Sequence, residues 1–260
     1  MIRGARQLVT LRGRNVARRG ADLSCLEIIE DGSVLIQDGR IVEVGPTRRV
    51  ENLGSARKAS AVDAAGRILI PAFVDCSTHL VSGEPDLAHA ADEPNGRVSR
   101  RHAARKLLSS TARGLEYQAK RSVLGLARHG TMRTCSSTAG LGDLAGELKA
   151  LKVLAELGPE PVVVESALQI GHAHDGAFDG RPADYLDWVC AELLPKVRQK
   201  KLTRMVRISE ESSEWSASQV RHLLQTIRTL GFQIRVEAAV TNDWNPFDLA
   251  HEFQAVMVER

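Results

Sequence analysis

Ile70-Pro71-Ala72-Phe73-Val74-Asp75-Cys76-Ser77-Thr78-His79-Leu80 marks the point where the texture of the chain changes. Before it, short β-rich runs are separated by tight turns. After it, apolar strand-like runs alternate with helical segments. Strands are expected at Ile68–Val74, Thr131–Cys135, Val162–Leu168, Met205–Ile208, Phe232–Val236 and Ala255–Val258. Helices are expected at Ser99–Ser109, Ala112–His129, Leu144–Leu157, Ala183–Lys200, Ala217–Leu230 and Phe247–Phe253. Strands that alternate with helices of this length imply right-handed βαβ units and a parallel sheet. Six such units fit a partial (β/α) barrel or a doubly wound sheet. No GxGxxG or P-loop follows any strand, so a nucleotide-binding fold has no local support.

Upstream, Ser33–Ile36 and Arg40–Val44 flank Gln37-Asp38-Gly39, a hairpin signal because glycine accepts positive φ without a Cβ clash. Ala61–Asp63 and Arg67–Ile70 flank a second turn at Ala64-Ala65-Gly66. The chain is therefore divided into a small β unit, residues 1–69, and an incomplete α/β barrel, residues 70–260. Within the second part, Ser216 and Gln219 have the spacing of a capping box. Gly130, Gly158 and Gly231 follow helices where a left-handed cap is wanted.

Composition bounds the function classes. The 260 residues are 43% hydrophobic, 26% charged and only 4% aromatic, so the core must rest on Leu, Val, Ile and Ala. Net charge is +3. Arginines cluster at the N-terminus and in Arg97–Arg105, but no helix-turn-helix, zinc-finger or aromatic RNA-binding pattern accompanies them. They read as a solvated arm and helix face, and no nucleic-acid partner is expected. The four cysteines, Cys25, Cys76, Cys135 and Cys190, form no CxxC. Three lie in apolar runs and are expected as buried free thiols in a reducing cytoplasm. No run reaches the ~18 apolar residues of a membrane span, and no secretory signal is evident, so no membrane partner is expected.

The Ile70–Leu80 segment resembles the first barrel strand of the amidohydrolase superfamily, whose usual form is P-G-x-x-D-x-H-x-H. Alternate residues of a strand point the same way, so two His one residue apart can chelate a metal at the barrel mouth. The metal lowers the pKa of a bound water and polarises the scissile carbonyl. Longer stretches resemble imidazolonepropionase within that superfamily: Gly130–Leu148, Leu168–Gly180, Tyr185–Pro195, Phe232–Ala238 and Ala250–Phe253. They keep the family's order along nearly the whole chain. The resemblance implies a small N-terminal β-sandwich with a TIM-like barrel, zinc or iron, and a small-molecule substrate. The implied reaction is hydrolysis of the cyclic amide of 4-imidazolone-5-propionate to N-formiminoglutamate, a step of histidine breakdown.

The departures from that pattern fall on the site. His79 keeps the second ligand position of the first strand, but Ser77 stands at the first. Glu237 stands where a third ligand, His, is expected; a carboxylate there carries a different charge. Val240 occupies the acidic catalytic position, Ala139 that of a loop Tyr, and Glu84-Pro85-Asp86 the stretch of a substrate-binding Arg. His172 and His174 are candidates for substrate contact, although a solvated polar loop is the commoner reading of such a pair. A lone His79 at a strand end is more often a hydrogen-bonded structural residue than a metal ligand. A late Asp ligand would lie beyond Arg260. The expectation is a degenerate relative that retains neither metal nor turnover. Two alternatives remain: a hydrolase with a metal site rearranged around His79, His172, His174 and Glu237, and a binding or assembly module on the same fold. Open sheet edges are expected to make it a homo-oligomer.

Overall fold

The structure, a computed structural model, describes residues 1–13, 16, 18–81, 105–140, 142–171, 178, 180–208, 215–237 and 245–259. The chain divides into two compact units, Met1–Ala72 and Phe73–Arg260.

In the first unit β1 (Ile2–Val9) is the central strand. It pairs antiparallel with β2 (Ile28–Gln37) and parallel with β4 (Val62–Asp63) and β5 (Ile68–Leu69). β2 turns into β3 (Arg40–Pro46) through Asp38 and Gly39, at φ 51° and 73°. Both residues are left-handed, as a two-residue turn matched to the strand twist requires. The Arg-rich N-terminus is therefore not an arm over its first nine residues. Ala5 and Leu8 are buried while Arg3 and Arg6 are not, so the arginines decorate a strand whose other residues make core.

The second unit is one parallel sheet of six strands in the order β11-β10-β9-β8-β7-β6. These are β6 (Phe73–Thr78), β7 (Thr131–Ser137), β8 (Val163–Ile170), β9 (Met205–Ile208), β10 (Gln233–Glu237) and β11 (Met257–Glu259). The expected strand Ile68–Val74 is in fact two. Pro71 supplies no backbone donor, and residues 70–72 leave one sheet before Phe73 enters the other.

Helices cross between the strands at Ala112–Arg128, Leu144–Glu156, Ala217–Thr229 and Pro246–Glu252. The expected Ala183–Lys200 helix is two α-segments, Pro182–Trp188 and Leu194–Lys200, joined by a π-turn at Val189–Leu193. The widened turn precedes Pro195, which cannot donate to the ordinary ladder. Of the expected Ser99–Ser109 helix, 105–109 are helical and the rest lies outside the described residues.

The sheet is curled. Arg235, on the fifth strand, donates from Nη2 to the Cys76 carbonyl on the first, at 2.5 Å. A flat sheet would hold strands so separated roughly 19 Å apart. The curl gives the strands an inner face and a helix-covered outer face. On the outer face Leu168, Ile170, Val206, Ile208, Ile234 and Val236 pack with helix residues such as Leu223 and Ile227. Beside them Tyr185 packs with Phe178, Trp188 and Trp215.

None of the cysteines is fully buried, contrary to the sequence expectation. All four are free; Cys25 and Cys76 are exposed, and Cys135 and Cys190 are half-buried. Cys76 lies on β6, an outer strand of the sheet with β7 as its partner, so an apolar run there does not imply enclosure.

Candidate functional site

The ends of the barrel strands position every candidate that the structure describes. On β6 the expected alternation of Asp75, Ser77 and His79 is interrupted. Asp75 pairs with Thr134 and Thr78 with Ser136, so three steps on β6 oppose two on β7. This is a β-bulge, and it breaks the period of two on which a chelating pair depends. The Asp75 carboxylate accepts from the Ser77 backbone N–H at 3.1 Å, a local turn contact. Ser77 is exposed. His79 lies just past the strand end, and its Nδ1 is 3.3 Å from the Ser137 carbonyl on β7. Thr78 and Thr134 hydroxyls meet at 2.8 Å, and Ser136 Oγ accepts from the Leu80 N–H at 2.9 Å. Buried hydroxyls thus tie the end of β6 to β7.

The inner face of β8, β9 and β10 carries an unexpected charged row. Gln169, Arg207 and Arg235 are mutual register partners across the three strands. All three are buried; Arg235 is only 1% exposed. Arg207 donates from Nη1 to Gln169 Oε1 at 2.9 Å, and its Nη2 lies 3.1 Å from Glu237 Oε2. Glu237 is two residues along β10 from Arg235 and so points the same way. Met205 Sδ lies below this row, 3.8 Å from Cys135 Sγ.

Glu237, the third expected ligand, is therefore held by a guanidinium, and His79 by the neighbouring strand. Among the described residues no three His, Cys, Asp or Glu side chains converge as a metal group. Among the described residues, only His79 and Glu237 of the expected ligand positions carry an imidazole or a carboxylate, short of the three protein ligands a catalytic metal usually takes. His172, His174 and Val240 lie outside the described residues, as does the Glu84–Asp86 stretch. Arg207, Arg235 and Gln169 were not found by sequence reasoning. Their signal was present: a charged residue flanked by Val206 and Ile208, and another by Ile234 and Val236, each mark the inner face of a strand with an apolar outer face.

The architecture matches an incomplete TIM-like barrel of the amidohydrolase type. Solved structures similar to the chain include guanine deaminase from C. acetobutylicum, at TM-score 0.59 and 11% identity over 99% of this chain and 66% of that one. Another is atrazine chlorohydrolase from Arthrobacter aurescens, solved with zinc, at TM-score 0.51 and 14% identity over 99% and 64%. No protein-family model matches. Among curated proteins, the imidazolonepropionases of Symbiobacterium thermophilum and Parabacteroides distasonis are 31% and 30% identical over the whole of this chain and 63% and 64% of their own lengths. Along its whole length the chain is imidazolonepropionase-like. It spans somewhat under two-thirds of the length of these relatives.

Proposed function

We propose that this segment carries the imidazolonepropionase scaffold with its ring-opening site dismantled. The supporting observation is the first barrel strand. The position of one imidazole ligand is a hydroxyl, Ser77, and it sits in a bulge that breaks the alternation toward His79. A hydroxyl of ordinary acidity is a poor replacement for imidazole at zinc or iron. The family's proton-shuttle position is Val240, which can neither give nor take a proton. These losses strike separate parts of the mechanism, and each typically costs orders of magnitude in rate.

The test is ring opening of 4-imidazolone-5-propionate with added zinc or iron, by the wild type and by Ser77→His. Neither should exceed the uncatalysed rate. Metal-dependent turnover in the wild type sinks the reading. Turnover in Ser77→His alone would reduce the lesion to a single residue.

The same reading takes the protein as self-associating through the outer side of β6. This strand has one neighbour among the described residues, and Phe73 and Val74 are exposed on it. Unpaired strand edges of this kind are templates for another chain. Light scattering over a wide concentration range should register dimers or larger species, and a monomer at every concentration would refute this.

A further inference from the structure

We propose that Arg207, paired with Glu237, is a built-in cation that takes the place of a metal ion at the C-terminal ends of β9 and β10, and that it withholds the Glu237 carboxylate from divalent cations. The inference rests on the reading that the lumen is not a working metal centre. It begins with the register. Arg207 and Arg235 are direct partners on adjacent strands, both buried and both on the inner face. Like charges placed opposite each other destabilise a sheet, and buried charge needs a partner. Glu237 meets that need, with its carboxylate 3.1 Å from the Arg207 guanidinium. Gln169 accepts a second hydrogen bond from the same guanidinium at 2.9 Å, which fixes the fork in place. Arginine keeps its charge at any accessible pH and offers planar, directional donors, so this cation is permanent and oriented.

A divalent ion seeking Glu237 would have to displace that guanidinium and then share the space with its fixed positive charge. At about 4 Å and an effective dielectric of about 20, one pair of like unit charges weakens binding on the order of a thousandfold. The carboxylate at the third ligand position is thus an internal partner and not a vacant donor.

The test uses the full chain, followed by thermal unfolding with zinc chloride, with manganese chloride and with EDTA. The wild-type midpoint should not move with any of them. Arg207→Met and Glu237→Gln should each lower the midpoint on the order of 10 °C, because each strands a buried partner. The double variant should regain most of that loss. If either single variant fails to fold, folding of the double variant supports the pair and its failure counts against it. Additive losses in the double variant overturn the proposal. So does a zinc-induced rise in the wild-type midpoint that vanishes in Glu237→Gln. Ring opening by the wild type would instead break the functional reading while leaving the coupling of the pair intact, so the two failures are distinguishable.

Discussion

The two faces of the parallel sheet are made by the same strands and obey different rules. Leu168 and Gln169 are neighbours in sequence, as are Val206 and Arg207, and Ile234 and Arg235. One member of each pair meets the helices and the other meets the lumen. The outer face is apolar and interchangeable in kind: any branched aliphatic of the right volume serves. The inner face is polar and specific, since each buried group there needs a named partner. Fold and chemistry are thereby separated by a single residue step. The outer face can retain the scaffold while the inner face changes what the scaffold does.

That contrast gives graded expectations. Leu168→Ala should be the most damaging, costing about 2–5 kcal/mol in urea unfolding, since it opens a hole in the outer core. Gln169→Leu, one position along, removes the acceptor of Arg207 without removing volume and should cost about 1–3 kcal/mol. If the second exceeded the first, the outer face would not be the main source of stability. Alkaline pH probes the outer layer separately. Tyr185 is fully buried, and burial first, then the nearby Glu147, push its phenol well above the ordinary value of 10.0. Its neutral form is favoured in the fold, so this contribution is complete below pH 10 and is lost as pH rises toward the raised value. The unfolding free energy should fall by about 1.4 kcal/mol per pH unit above pH 10, and Tyr185→Phe should flatten the slope. An unchanged slope in the variant would place the alkaline sensitivity elsewhere. The smallest effect is expected at His79→Ala. Its contact with Ser137 O is long and the residue is exposed, so a loss of about 1 kcal/mol or less should appear in the same urea assay. A larger loss that depends on added zinc would mark His79 as a ligand after all.

The outer face was legible in the sequence because apolar periodicity is a statement about burial. Met205–Ile208 was placed to the residue, and the Ser216–Gln219 capping box forms as its spacing implied. Three kinds of feature escaped. β1 was hidden by its arginines, because a strand with one solvated face can carry charge at every exposed position. The bulge at Asp75–Thr78 was hidden because no residue type announces it. The lumen arginines were visible as letters, but their meaning lies in cross-strand register, which brings residues 169, 207 and 235 side by side. Resemblance singled out Ser77, His79 and Glu237 as expected ligand positions. It carried no information on Arg207, whose hold on Glu237 decides what that carboxylate can do.

The strand order of the barrel sheet has a consequence for how it is made. From β6 to β11, position in the sheet follows position in the sequence without exception. As the chain leaves the ribosome, each new strand finds its neighbour already synthesised and need not wait for a later one. Assembly can therefore run vectorially, one βα unit at a time, with loop closures of only a few tens of residues at each step. The growing rim of the sheet migrates with synthesis.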